Sequence, residues 1–342
     1  MNRIARGIGA AFEWEDSSNR PIILVAGAAL VSGAIQRTVA KIQDGGFLIE
    51  DNQSGAAYTG GVLYRHDGSD ADAAMAYFCN GDDQDFLRQR NKSGTYSSTG
   101  HDIKADGLAV IGSDLWLWQG YKIMKCTFNA DPGLNASYPT PIPVGRPSWP
   151  INEVHDLGGS PLTFKGDGVW RFNPNPSVAE FENMTPFVPA HKDNGKGGGV
   201  DGRGRVYYPT VDGQVLVLSF GFQTQQRPLL HRSVDRDSPF GAISAIAAGS
   251  EHIYAAIEPG SVRTQKGLDL KVKVYDASLS QYIDWTADVT NQQHQRTMNL
   301  NVIGAAGDYI FVGANEPFWG AFMEMAVANT GTTLPLSRAA GD

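Results

Sequence analysis

Short apolar runs separated by Gly, Asp, Asn and Pro recur along the whole chain, a pattern of strands and tight turns and not of long helices. Leu115–Trp118 (LWLW), Val215–Leu218 (VLVL), Lys271–Tyr275 (KVKVY) and Tyr309–Gly313 (YIFVG) all read as strands. KVKVY alternates, which predicts one face inside and one in solvent, whereas VLVL is apolar on both faces and predicts a strand between packed layers. Trp116 and Trp118 alternate with Leu115 and Leu117, so that run is expected to pack on both sides, with an exposed lectin-like surface as the alternative. Ser32–Asp44 has a helical spacing of Ala34, Ile35, Val39 and Ile42, but its β-branched residues and flanking glycines suit a strand or loop equally.

A larger unit repeats: an apolar run, a Gly- or Asp-rich turn, then a second run with an aromatic residue. Units start near residues 22, 60, 107, 156, 199, 243 and 300, in steps of 38, 47, 49, 43, 44 and 57. That spacing is the size of a four-stranded propeller blade. The expected fold is therefore all-β, a β-propeller of seven blades with six as the alternative, over residues 21–328. It is flanked by an N-terminal arm, 1–20, and a C-terminal tail, 329–342. Ile22–Gly27 (IILVAG) is the expected partner of Phe322–Val327 (FMEMAV), closing the ring by pairing strands from the two ends.

Composition agrees with many short strands, since Gly and Pro make 58 of 342 residues, 17%, against a usual share of about 12%. A net charge of -8 argues against a nucleic-acid partner, which needs clustered cations to displace counterions. Only Gly195–Arg205 (GKGGGVDGRGR) is locally basic; it reads either as a solvated loop or as a contact for an acidic partner through Lys196, Arg203 and Arg205. Cys79 and Cys126 are too few for a disulfide framework and lack zinc spacing, so two buried thiols are expected. The most apolar stretch, Pro21–Ile35, follows an acidic segment and has no basic region before it, so neither an export signal nor membrane insertion is expected.

Chemistry-bearing motifs are sparse. Gly166-Asp167-Gly168 lies between apolar runs and is followed by Pro174, which forbids the helix that a phosphate cradle needs, so it reads as a hairpin turn with Asp-Gly as the central pair. It comes near the Asp box of sialidase-type propellers but misses its register, because Gly follows Asp directly and Lys165 stands where Ser or Thr should. The acidic runs His66–Ala74 and Gly81–Asp85 lack the ordered ligand spacing of a calcium loop. Seven His residues are scattered without metal spacing, and no nucleophile elbow is present. No catalytic residue and no cofactor are expected, although Glu153, Asp156, Asp237, Asp284 or Glu316 could form a carboxylate pair in space. Phe318 and Trp319, in Asn315–Phe322 (NEPFWGAF), read either as partner contacts or as loop packing.

Residues 105–133, Pro141–Asn173 and 204–218 resemble propeller-like structural proteins encoded among the virion and tail genes of tailed bacteriophages, over most of Gly60–Val327. The resemblance implies a non-enzymatic tail protein made in the host cytoplasm and carried in the virion in multiple copies. It would act in tail assembly or host attachment, with other tail proteins and a host surface glycan or receptor as partners. The alternative is a glycan-binding or glycan-hydrolysing propeller. Repeats similar to Gly166–Asn173 (GDGVWRFN) also occur in bacterial sensor proteins, which carry a signal sequence and a membrane span.

Overall fold

The computed structural model describes residues 3–31, 34–43, 46–65, 74–81, 87–98, 105–126, 141–173, 181–200, 204–210, 215–218, 240–248, 252–259, 271–276, 281–286, 299–306, 309–315, 322–326 and 336–337. They form seven antiparallel sheets. The first holds β1 (Arg3–Glu15), β2 (Pro21–Val31), β3 (Ala34–Gln43) and β4 (Gly46–Gln53). The second holds β5 (Gly60–Arg65), β6 (Ala74–Cys79), β7 (Arg88–Asn91) and β8 (Tyr96–Ser98). The third holds β9 (Gly107–Ile111), β10 (Asp114–Gln119), β11 (Lys122–Lys125) and β12 (Ile142–Pro143). The fourth holds β13 (Ile151–Leu157), β14 (Ser160–Lys165), β15 (Gly168–Phe172) and β16 (Phe181–Asn183). The fifth holds β17 (Gly199–Val200), β18 (Val206–Pro209) and β19 (Val215–Leu218). The sixth holds β20 (Phe240–Ala248), β21 (His252–Pro259), β22 (Lys271–Asp276) and β23 (Gln281–Thr286). The seventh holds β24 (Asn299–Ala306), β25 (Tyr309–Asn315), β26 (Phe322–Ala326) and β27 (Leu336–Ser337).

Each sheet is a meander in chain order, and the first strand of each sheet adjoins the first strand of the next. The series runs β1, β5, β9, β13, β17, β20, β24 and returns to β1, so the sheets close a ring. This is a β-propeller, as the repeat spacing predicts. Among the described residues no helix is long and apolar enough to cross a membrane.

Ring closure differs from expectation. Ile22–Gly27 lies in β2 and pairs with β1 and β3, while Phe322–Ala326 is β26 and pairs with β25 and β27. The two ends meet by sheet packing of β24 against β1 and not by completing one sheet. Arg3–Glu15, read from sequence as part of an arm, is the innermost strand of the first sheet; its two glycines and three alanines dilute the apolar alternation that marks a strand. Leu336–Ser337 likewise forms β27 inside the segment read as a tail.

Packing between sheets follows the two-sided apolar runs. Leu115 and Leu117 enter a core with Tyr77 of the second sheet and Leu87 just before β7, while Trp116 and Trp118 on the other face of β10 meet Ile151, Val154 and Phe181 of the fourth. Each such side chain removed from water contributes about 1.5–3 kcal/mol. Leu218 and Leu216 of VLVL join Phe164, Leu162 and Tyr208 between the fourth and fifth sheets. Cys79 and Cys126 are free and buried in one core, and burial pushes both thiols up to about 12. Within Ser32–Asp44, Ala34–Gln43 forms strand β3, with Val39 and Ile42 buried.

Four antiparallel strands bring the chain back to the edge from which it set out, and the turn between second and third strands lies on that same edge. Links 54–59, 144–150 and 184–198, each leaving a four-stranded sheet, therefore share one face of the ring with those turns. We call this the link face.

Candidate functional site

The most elaborate part of the described link face is built around the turn between β14 and β15, whose central residues are Gly166 and Asp167. Links 144–150 and 184–198 approach it from either side. Lys165 ends β14 with its side chain fully out of water. Its ammonium donates to the carbonyls of Val144 and, at 3.0 Å, Arg146. Asp167 lies 4.0 Å away and the Trp170 ring centroid 5.3 Å. A buried ammonium without such partners would cost several kcal/mol. Burial lowers the Lys165 pKa, and Asp167 opposes that shift.

The second link is tied down as firmly. The His191 amide donates to the Gly166 carbonyl at 2.9 Å, and the Asn194 side-chain amide donates to Gly166 at 3.1 Å and to Pro189 at 2.9 Å. Asn152, on β13, donates to the carbonyls of Lys192 at 2.9 Å and Asn194 at 2.7 Å. A Cβ at Gly166 would sit 2.6 Å from the His191 carbonyl oxygen and 2.9 Å from the Trp149 ring. Only glycine lets both links close on this turn.

Asp167 serves this frame. Its Oδ1 accepts the Trp170 indole N–H at 3.1 Å, and Asn183 donates to its carbonyl at 3.1 Å. The turn expected from the sequence is present, one residue earlier in register: Lys165 pairs with Gly168, so Gly166 and Asp167 are central, and the positive φ, +134°, falls on Gly168.

What the links show to solvent is aromatic, proline-rich and cationic. Link 144–150 exposes Arg146 and Pro147 and leaves Trp149 half-buried; link 184–198 exposes Phe187, at 47%, with Pro186, Pro189, His191 and Lys192. Lys122, at the neighbouring β10–β11 turn, lies 5.5 Å from the Tyr121 ring centroid, and the Tyr121 carbonyl accepts the Val144 amide at 2.8 Å. Lys196 donates to Asp193 at 2.6 Å and holds that carboxyl below its usual range. Glu153, half-buried on β13, accepts the Gly197 amide at 3.3 Å; burial pushes it up to about 7, against the pull of that amide and of Lys196. His155, two residues along, is pushed down to about 4 by burial, its Nε2 is buried without a partner, and its ring stacks tilted on Phe164 at 4.7 Å.

The basic run Gly195–Arg205 is divided by the fold. Lys196 precedes β17 on the link face, whereas Arg205 precedes β18 at the opposite face, 6.0 Å from the Tyr207 ring centroid. Arg203, Phe318 and Trp319 lie outside the described residues, as do Asp237, Glu316 and most of both acidic runs. Glu153 and Asp156 stand toward opposite ends of β13, and Asp156 accepts the amides of Gly112 at 2.8 Å and Gly159 at 2.6 Å, both in turns. Among the described residues no three His, Cys, Asp or Glu side chains are grouped to hold a metal ion. Sequence reasoning missed Arg146, Trp149, Phe187 and Lys192. The available signal was proline on both sides of an aromatic just after the last strand of a repeat, in RPSWP and TPFVP, since proline keeps such residues out of a strand ladder.

No protein-family model matches the chain, and no curated protein matches it by sequence. Solved structures do. YCF48 bound to D1 peptide superposes with a TM-score of 0.63 at 12% identity, covering 96% of this chain and 94% of that one. Sqt1 of Chaetomium thermophilum, bound to the N-terminus of the ribosomal protein L10, gives 0.59 at 10% identity, covering 98% and 87%. The extracellular domain of the one component system BT4673 from B. thetaiotaomicron gives 0.60 at 13% identity; it covers 94% of this chain, which spans only 39% of that longer one. At these identities the likeness establishes the propeller and nothing finer. None of these neighbours is a phage tail protein, which corrects the expectation of a virion tail component with tail-protein partners. The glycan-directed alternative gains no support from them either. The motifs behind the phage resemblance, such as GDGVWRFN, are blade hairpins, and a blade hairpin records the packing needs of a propeller whatever the propeller does.

Proposed function

We propose that this protein is a non-catalytic propeller that binds an extended segment of a partner protein across the link face, between links 144–150 and 184–198. The observation that carries this is the pairing of a rigid frame with an exposed contact surface. Lys165, Asn152 and Asn194 fix the main chain of both links, while Trp149, Phe187, Arg146 and Lys192 are left facing outward or half-exposed. Aromatic and Arg side chains held in place before binding lose little freedom on contact and tend to dominate interface energy. The central charged pair, Lys165 and Asp167, is engaged by the frame and is not presented to a substrate. Two fold neighbours that this chain matches over most of their length, YCF48 and Sqt1, were solved with a peptide and a protein N-terminus bound, which supports the same reading.

Selection from a random displayed-peptide library on the purified full chain tests it. Enriched peptides should bind wild type and lose about tenfold or more in affinity to Trp149→Ala with Phe187→Ala, at unchanged melting temperature. Enrichment of no peptide, or equal affinity for the double variant, would overturn the assignment.

A further inference from the structure

Three exposed cations of the link face make no salt bridge among the described residues: Lys122 at the β10–β11 turn, Arg146 on link 144–150 and Lys192 on link 184–198, which acts on Asp193 only through space while Lys196 holds that carboxylate by a direct hydrogen bond. Elsewhere Arg88, Arg90, Lys92 and Lys125 each pair with Asp or Glu. Carboxylates of this sector are engaged by the frame: Asp106 accepts the Gly120 amide at 2.6 Å, Asp167 the Trp170 indole, Asp193 the Lys196 ammonium and Glu153 the Gly197 amide. In a chain of net charge -8, this sector is a local reversal of sign.

The links also join the three cations physically. The Val144 amide bonds the Tyr121 carbonyl beside Lys122, and the Arg146 carbonyl bonds Lys165. The His191 carbonyl and the Trp149 ring both lie against Gly166, and the Lys192 carbonyl bonds Asn152. The cations thus follow one another across neighbouring sheets with the half-buried Trp149 between them.

We infer that the segment bound here is acidic: an extended peptide whose Asp or Glu side chains meet Lys122, Arg146 and Lys192 while an apolar residue between them packs on Trp149. This rests on the peptide-binding reading above and adds to it the charge of the ligand. An extended strand advances about 3.3 Å per residue, so a segment of roughly six or seven residues is long enough to cross two neighbouring links. The repulsion expected from the net negative charge is largely screened beyond about 8 Å at physiological salt, whereas a direct Arg–carboxylate contact is weakened less.

Fluorescence anisotropy with three labelled peptides on the full chain tests this: Glu-Asp-Glu-Phe-Glu-Asp-Glu, its amide counterpart Gln-Asn-Gln-Phe-Gln-Asn-Gln, and Lys-Arg-Lys-Phe-Lys-Arg-Lys. The acidic peptide should bind about tenfold or more tightly than the amide one at low salt, with the advantage shrinking at high salt. Arg146→Glu with Lys192→Glu should remove that advantage and raise binding of the basic peptide. Arg65→Glu, at the exposed end of β5 on the opposite face, should change neither. Equal binding of the acidic and amide peptides, preference for the basic one, or an equal loss in Arg65→Glu would overturn the acidic assignment and leave peptide binding standing. Binding of none of the three, with no peptide recovered by selection, would remove both.

Discussion

Glu153 and His155 share one face of β13, and burial moves their pKa values in opposite directions, to about 7 and about 4. Folded protein holds the Glu153 proton more tightly than unfolded protein does. Its stabilising contribution is therefore complete below the ordinary carboxyl range and is lost as pH rises toward 7. His155 behaves oppositely: its contribution is complete above 6.5, the ordinary imidazole value, and is lost as pH falls toward 4. Glu153→Gln keeps an acceptor for the Gly197 amide and removes only the first effect. Relative to wild type it should gain nothing at about pH 4 and roughly 1–3 kcal/mol by about pH 8, read from urea unfolding at both. An equal difference at both values would mean that the carboxyl titrates in its ordinary range. At the β14–β15 turn the ranking is set by space. Gly166→Ala must displace the His191 carbonyl or Trp149, and Gly168→Val adds strain at positive φ while pressing on Thr185 and Asn183. Each should cost about 1–3 kcal/mol, and Asp167→Asn, which retains an acceptor for Trp170, should cost less than either in thermal melts.

Between the first two sheets, charge adds to an apolar core in which Trp14 and Leu24 of the first sheet meet Ala76 and Phe78 of the second. β4 of the first sheet and β7 of the second are joined by two bidentate pairs: Arg90 on Glu50 at 2.7 and 3.1 Å, and Arg88 on Asp51 at 3.0 and 2.7 Å. Tyr96 donates to Glu50 at 2.9 Å, and the buried Arg90 guanidinium lies 5.3 Å from the Trp14 ring centroid. Glu50→Leu alone leaves that guanidinium buried without its anion and should cost about 3–5 kcal/mol. Glu50→Leu with Arg90→Met should cost less than the single change, because a buried pair replaced as a unit leaves no unpaired charge; a double variant worse than the single would contradict this. Nothing in the sequence marks this seam, since Glu50 and Arg90 are 40 residues apart. What the sequence shows is local. The first strands of the second, third and fifth sheets start at Gly60, Gly107 and Gly199, where the repeat was read, because tight packing leaves its own mark: a Cβ at Gly107 would overlap the Trp118 ring at 1.9 Å. β1 carries no such mark. The link-face site was legible in its central turn, Gly166 to Gly168, and in Lys196 and Glu153 but not in the links around them, because the frame binds Lys165 to Val144 and Asn152 to Lys192 across turns that no spacing rule connects.

For the whole molecule the decisive contact is the one between β1 and β24. β27 ends, and β1 begins, on the link face of adjoining sheets, so a short connection between the two would occupy the place that links such as 144–150 fill elsewhere. Three strand spacings of about 4.8 Å separate an outermost from an innermost strand, a gap that a few residues bridge. A circular permutant joined through a Gly/Ser linker and opened in the exposed stretch 54–56 should therefore fold with a melting temperature within a few degrees of wild type. Truncation gives the opposite expectation. If residues 1–20 were an arm, removing them would leave the ring intact. In the structure their removal takes away β1, exposes the hydrogen-bonding edge of β2 and leaves β24 without its neighbour. An uncovered edge strand in a broken ring recruits other chains. The chain lacking residues 1–20 should thus aggregate or melt well below wild type in size-exclusion and calorimetric measurements, while the permutant, with every strand retained, should not. A truncated protein that stayed monomeric and equally heat-stable would show that the first sheet does not close the ring.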